Sequence, residues 1–224
     1  LQEGTSDARS ADIHRVKGSV TNWLNEQIDD PSLHLNQESC NGHGLQSDVT
    51  RRLLCSISLD WDDPTVKIWN FKDKEHYFGK DFYPRCLYLG ENGDPRRVQE
   101  GYLKSELLVK TFKVMFTLPS SVFQVSGLPA EPAERRHKKP KGSLPCQADN
   151  ATMLNMNQVT LRSIAYAAVQ VSLHFALQTA SKWCNFYDDF SYKEFYDFIV
   201  DYFEADSSPE AKKAAGELLD WWNE

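Results

Sequence analysis

The chain has 224 residues, of which 41% are hydrophobic and 25% charged, and this is enough apolar material for one domain of ordinary size. Its formal net charge of −7 disfavours global electrostatic attraction to nucleic acids or anionic membranes. No apolar run approaches the roughly 20 residues that a membrane-spanning helix needs, so we expect no membrane partner.

The first predicted helix begins after a capping Ser10 and continues to about Ile28. Its apolar residues recur at three- and four-residue steps, which is the pattern of a helix with one buried face. The acidic turn and proline at 29–31 end it. Residues 1–9 are polar, and we expect them to be frayed.

A loop over 31–46 and a short helix from about Asp48 through Cys55 follow. Residues 65–90 are rich in aromatic side chains and divide into short elements that the pattern does not define.

The next predicted helix runs from Tyr102 to Leu118, and Pro119 ends it. Apolar side chains cover most of its circumference. Glu106 and Lys110 are spaced for an ion pair across one helical turn, in the more favourable orientation.

Residues 126–150 differ in composition from the rest of the chain. They contain four prolines and a run of basic residues. A segment of this kind does not form core, so we expect a flexible, basic, proline-rich insertion.

The segment 158–179 predicts the most buried helix. Apolar side chains surround it except for a thin polar stripe of Ser163, Gln170 and His174. A helix that is apolar almost all round is typical of the centre of a bundle.

Two further helices are predicted at 191–205 and 209–223. The first has an aromatic face opposite a row of carboxylates. The second begins with Ser208 as cap, proline at its first position and Glu210 in its first turn. Together the elements predict an all-α fold, a single domain over 1–224. We expect an irregular bundle of about five to seven helices around the 158–179 helix, with long loops and little or no strand.

The basic run is the first candidate interaction site. Its cations could contact nucleic acid or serve as a nuclear-import signal, or they could be a solvated loop without a partner. The residues are Arg135, Arg136, Lys138, Lys139 and Lys141. No aromatic side chain is interleaved with them, which argues against a platform for stacking single-stranded bases.

A second candidate is a partner patch of aromatic side chains that could lie at the surface. Its proposed members are Trp69, Tyr77, Phe78 and Trp221. Such a patch would bind another protein.

The polar stripe of the central helix is a third candidate. Ser163, Gln170 and His174 could line a pocket in which the histidine acts as acid or base. The alternative is an ordinary polar stripe or a hydrogen-bonded core histidine. No nucleophile or second carboxylate falls on the stripe, so the alternative is favoured and we name no catalytic residue.

Metal and cofactor sites have little support. Cys40 and His43 have the spacing of half a zinc site, but the site would need two more ligands, and loop residues beside a turn are the favoured interpretation. Asp60, Asp62 and Asp63 lack the glycine and glutamate of a calcium loop and are interpreted as turn and cap residues. Phosphate-loop and dinucleotide-binding motifs are absent. We expect no metal and no cofactor.

The five cysteines are odd in number and widely spaced, which is typical of reduced thiols in an intracellular protein. No secretory leader is recognisable. The expected location is therefore cytoplasmic or nuclear.

An ordered set of segments resembles a domain family of mushroom-forming fungi (basidiomycetes), which occurs there in many copies and has no assigned activity. The segments are DARS (7–10), VTNWL (20–24), DVTRRLLC (48–55), LDWDDP (59–64), GYLKSELLVK (101–110), FTLPSS (116–121), VTLRSIAY (159–166) and LLDWWN (218–223). The resemblance implies a fungal, intracellular, mostly helical domain, and it assigns a role to no residue. Residues 70–90 and 131–142 fit the family's pattern poorly.

The leading functional hypothesis is a non-enzymatic protein-interaction or accessory domain. One alternative is a nucleic-acid-associated nuclear protein that uses residues 135–141. A second alternative is an enzyme with a site in the bundle core near His174. The sequence does not determine the partner or the oligomeric state.

Overall fold

A computed structural model describes residues 16, 19–35, 47–68, 83–117, 156–176 and 192–224. Within these ranges the chain forms seven α-helices and no β-strand. The prediction of an all-α bundle of five to seven helices is confirmed. The predicted frayed segment 1–9 and the basic insertion 126–150 lie outside the described residues.

The helices occur along the chain in nearly the predicted order. They are α1 (19–26), α2 (Asp48–Leu54), α3 (Pro64–Ile68), α4 (Glu106–Phe116), α5 (Leu161–Ala176), α6 (Tyr192–Glu204) and α7 (Pro209–Asn223). Short 3-10 turns occupy Pro31–Leu33, Arg85–Leu87 and Leu89–Glu91. None of the helices in the described ranges is long and apolar enough to cross a membrane.

Helix α5 is the central helix, as the sequence predicted. It packs against α2, α4, α6 and the Arg85–Leu87 turn. Its start is closed by a reciprocal pair, in which the Ser163 N–H donates to the Thr160 hydroxyl (3.2 Å) and the Thr160 N–H donates to the Ser163 hydroxyl (3.0 Å). From Ile164 to Ser172, every side chain of α5 except Tyr166 is buried.

Helix α4 begins four residues later than predicted, at Glu106 instead of Tyr102. The preceding turn contains two left-handed residues, Gly101 (φ 74°) and Leu103 (φ 57°), and a helix cannot pass through them. Ser105 then caps the helix, since its hydroxyl accepts the Leu108 N–H at 3.0 Å. The predicted pair within α4 does form, with Lys110 Nζ 2.7 Å from Glu106 Oε1.

The irregular segment 83–105 is part of the core. Cys86, Leu87, Tyr88, Tyr102 and Leu103 are each at most 2% exposed. Backbone hydrogen bonds tie the segment to the end of α2 and close it on itself: Arg85 N–H to Cys55 O and Leu89 N–H to Gly101 O, both 3.0 Å. The segment therefore completes the surface against which the α-helices pack.

Helices α6 and α7 differ in how much of their surface is buried against the bundle. Phe195 and Ile199 of α6 are buried, and α6 makes an extensive contact with α5. On the same face of α6, Phe198 and Tyr202 meet Tyr83 edge to face. In α7, the only side chain below a tenth exposed is Leu218.

Candidate functional site

The last turn of α7 lies against the starts of α4 and α5. The Trp222 indole N–H donates to the carbonyl oxygen of Leu103 at 3.0 Å, and its ring centroid lies 5.2 Å from that of Phe112. Leu103 is fully buried in the left-handed conformation, which a non-glycine residue adopts at a cost. Trp222 thus satisfies a carbonyl of a strained turn.

Asn223 extends this contact to the start of α5. Its side-chain oxygen accepts the Val159 N–H at 2.9 Å, while its side-chain nitrogen donates to the Leu219 carbonyl at 2.7 Å. The amide is therefore held on both sides, by its own helix and by the residues before α5.

Trp221 lies beside this anchor and is partly exposed. Its ring meets Trp222 edge to face, with centroids 5.7 Å apart and an interplanar angle of 82°. The Lys104 ammonium group lies 5.5 Å from the Trp221 ring centroid, within cation–π range. Neighbouring residues of the turn, Leu103 and Lys104, thus pair with neighbouring residues of α7. We call Trp221, Trp222, Lys104 and Leu103 the tryptophan corner.

The C-terminal segment that carries Trp221 and Trp222 is acidic. Residues 192–224 contain nine side-chain carboxylates and three lysines, and so carry most of the chain's net negative charge. Some carboxylates are paired, as in the two-pronged contact of Arg162 with Glu204 at 3.1 and 2.9 Å. The hydrogen bonds from Arg162 lower the pKa of the Glu204 carboxyl. A partly exposed tryptophan with a lysine over its ring, on an acidic segment, can offer apolar area and charge to a partner.

The polar stripe residues of α5 lie at different levels of the bundle. Ser163 closes the start of the helix, whereas Gln170 lies two turns further on, about 10 Å along the axis. Gln170 is 1% exposed, and neither its side-chain oxygen nor its nitrogen bonds to a described residue. The backbone of His174 belongs to α5, but its side chain lies outside the described residues. The structure therefore does not join Ser163 and Gln170 into one pocket.

Other buried hydroxyl groups are also without a hydrogen-bond partner among the described residues. They belong to Tyr102 and Thr111, whereas the Ser172 hydroxyl lies near the Cys86 thiol. Ser172 and Gln170 are two residues apart on α5, so their side chains point to nearly opposite sides of the helix. Ser172 consequently does not form a single polar site with Gln170.

The described cysteines are not nucleophile candidates. Cys55 and Cys86 are free thiols and at most 1% exposed. Burial raises the pKa of both thiols, and the nearby Ser172 hydroxyl opposes the effect at Cys86 only in part. A buried protonated thiol is unreactive.

The aspartates near α3 stabilise turns. The Asp60 carboxylate accepts the Asp62 N–H at 2.9 Å, and Asp63 accepts the Thr65 N–H at 2.8 Å, as the turn interpretation predicted. In the described ranges, no group of three or more His, Cys, Asp or Glu side chains could hold a metal ion. Cys40 and His43 lie outside those ranges.

The structure places one member of the predicted aromatic patch, Trp221. The other three, Trp69, Tyr77 and Phe78, lie outside the described residues, as does the whole basic run 135–141. Sequence reasoning missed Lys104 as a neighbour of Trp221. No local signal could have found it, because the Trp222–Leu103 contact that brings the two together joins residues 119 apart in the chain.

Comparison with known protein families gives one finding that covers nearly the whole chain. Residues 3–224 match the model described as "Family of unknown function (DUF6698)". Neither a curated protein nor a solved structure shows significant similarity to the chain. The match agrees with the resemblance to a family without an assigned activity.

Proposed function

The chain belongs to the family of unknown function DUF6698, and we propose that it is a non-enzymatic protein-interaction or accessory domain that acts inside the cell. The observation that carries this proposal is the partly exposed Trp221 ring, fixed between Trp222 and Lys104. The resemblance noted above adds the expectation of a fungal source and of a cytoplasmic or nuclear location.

Tryptophan is the residue type most enriched among the few side chains that dominate binding at protein interfaces. A ring that is already immobilised loses little conformational entropy when a partner covers it. Trp221 meets this condition, because Trp222 supports one edge and Lys104 lies over the ring. We infer that Trp221 is the anchor of the partner patch.

The experiment is affinity capture from a lysate of the source organism, with and without nuclease, using the wild-type chain, Trp221→Ala and Leu33→Ala. Leu33 is 53% exposed and lies in the Pro31–Leu33 turn, so its variant removes exposed apolar area without touching the tryptophan corner. Captured proteins are then purified and titrated directly against each variant.

A partner that survives nuclease, binds the wild type and Leu33→Ala alike, and binds Trp221→Ala about 30-fold more weakly supports the proposal, since a dominant interface side chain contributes about 2 kcal/mol or more. Equal affinity of all three chains contradicts the assignment to Trp221.

Loss of every partner after nuclease treatment favours the alternative of a nucleic-acid-associated nuclear protein. Binding through the basic run 135–141 would then weaken steeply between about 50 and 200 mM salt, because phosphate contacts release counterions. Binding through an apolar anchor depends far less on salt.

A further inference from the structure

Helix α7 is attached to the domain mainly by its last turn. Leu218 is its only buried side chain, and its contact with α6 is much smaller than the contact between α5 and α6. The long-range hydrogen bonds recorded for α7 in the described ranges come from Trp222 and Asn223. We call these two side chains, with their partners Leu103 and Val159, the α7 latch.

At the opposite end of α7, the side-chain hydrogen bonds among the described residues join near neighbours in the chain. The Ser208 hydroxyl accepts the Ala211 N–H at 3.2 Å, and the Asp206 carboxylate accepts the Ser208 N–H at 2.8 Å. Both contacts are local, and residues 205–207 between α6 and α7 are exposed. The connection can therefore act as a hinge, since it carries no buried anchor among the described residues.

We propose that α7 is a strap that undocks from a domain that otherwise stays folded, and that the α7 latch sets how often it does so. When the latch is closed, Trp222 places Trp221 beside Lys104. When it opens, the tryptophan corner is dismantled and Phe112 loses the ring that covers it. The opening itself is independent of the proposed function; only its consequence for a partner at Trp221 rests on that function.

Undocking also removes the tertiary contacts that stabilise α7 as a helix. A helix of 15 residues is marginally stable alone in water, so the released strap loses its backbone hydrogen bonds. Amide hydrogen exchange follows this loss directly, because it reports the free energy of local opening.

The test is hydrogen exchange read by mass spectrometry on the full chain, without a partner. Peptides from residues 209–219 report α7, and peptides from 164–172 report α5. In the wild type, we expect α7 to exchange at least about tenfold faster than α5 relative to unstructured peptide, since surface elements open below the global free energy.

Trp222→Phe tests the latch, and Trp221→Phe is the matched control. The first change keeps a ring against Phe112 but removes the indole donor to Leu103, whereas the second makes the same change at a position without that bond. One hydrogen bond is worth about 1 kcal/mol, so Trp222→Phe should speed α7 exchange about fivefold and leave α5 unchanged. Trp221→Phe should change α7 by less than about twofold.

Equal protection of α7 and α5 in the wild type overturns the proposal, because α7 would then open only with the whole domain. Equal acceleration of both helices by Trp222→Phe overturns it as well. Neither result depends on a partner. If the partner experiment fails but exchange of α7 is fast and depends on the latch, the proposed function is refuted and the proposal that α7 undocks is still supported.

Discussion

Helices α5 and α7 both have apolar residues at helical spacing, yet the structure buries them to very different extents. Helix α5 is covered on most of its circumference by α2, α4, α6 and the Arg85–Leu87 turn. Helix α7 rests on the domain along one edge, with a single buried side chain and two anchoring residues at its end. The comparison shows that α5 stabilises the core, whereas α7 contributes mainly to the surface.

The two helices also differ in what they do with polar groups. Helix α5 buries the Gln170 amide without a hydrogen-bond partner among the described residues, and an unsatisfied buried amide lowers stability. Helix α7 keeps its charges exposed, and its polar side chains Trp222 and Asn223 both find long-range hydrogen-bond partners. A core helix can carry such a cost because the apolar burial around it is large.

The largest expected difference comes from truncating one aliphatic side chain in each helix. Ile164→Ala in α5 should lower the free energy of unfolding by about 2–5 kcal/mol, because Ile164 is fully buried and leaves a cavity. Leu219→Ala in α7 should lower it by only about 1 kcal/mol, since Leu219 is partly exposed. Urea denaturation measures both, and equal losses would show that α7 is as integral to the core as α5.

The helix caps give the next comparison. Ser105 caps α4 from a buried position, whereas Ser208 caps α7 near the surface. Ser105→Ala should cost about 1–2 kcal/mol of global stability, because the Leu108 N–H is left buried without its acceptor. Ser208→Ala should affect mainly the exchange of α7. Threonine at either position retains a cap oxygen and should restore most of the loss; a Ser105→Thr variant as weak as Ser105→Ala would argue against capping as the cause.

Two buried tyrosines of the irregular segment 83–105 test whether a hydrogen bond decides the effect of a hydroxyl group. The Tyr88 hydroxyl donates to the Val98 carbonyl at 3.0 Å, whereas that of Tyr102 has no partner among the described residues. Tyr88→Phe should therefore cost about 1 kcal/mol, while Tyr102→Phe should be neutral or slightly stabilising. A Tyr102→Phe loss as large as that of Tyr88→Phe would mean that the Tyr102 hydroxyl is bonded after all.

Burial raises the pKa of both phenols in the folded chain. The stability that depends on their neutral forms is fully present below the ordinary tyrosine pKa, about 10, and is lost as the pH rises through the raised values. Either Tyr88→Phe or Tyr102→Phe should therefore reduce the loss of stability at alkaline pH. Thermal unfolding at about pH 8 and 11 measures the difference.

The smallest expected effect concerns the exposed Arg162–Glu204 pair, which ties the start of α5 to the end of α6. Its hydrogen bonds lower the pKa of Glu204, so its contribution is present above the ordinary carboxyl pKa and disappears as the pH falls through the lowered value. Glu204→Gln should lower the melting temperature slightly at neutral pH and not at all well below about pH 4. Asp201→Asn is the control, since Asp201 forms no salt bridge with a described residue; an equal, pH-independent effect of both changes would exclude the pair as the cause.

The sequence by itself determined the fold class and the features that depend on near neighbours. Apolar periodicity identified α5 as the central helix, and Ser208 followed by proline marked the start of α7. The pair of Glu106 and Lys110 was also readable, because partners one turn apart are fixed by helix geometry. Trp221 could be nominated as an exposed aromatic, but not its surroundings.

Only the tertiary structure decided how distant segments meet. It buried the irregular segment 83–105 and placed Leu103 in a left-handed turn, so that α4 begins only after this turn. It also brought the turn into contact with Trp222. A pattern in sequence reports which side of a helix is apolar, but not which element covers that side. The tryptophan corner depends on which segments meet, because Leu103 and Trp222 lie 119 residues apart in the chain and neither segment specifies the other.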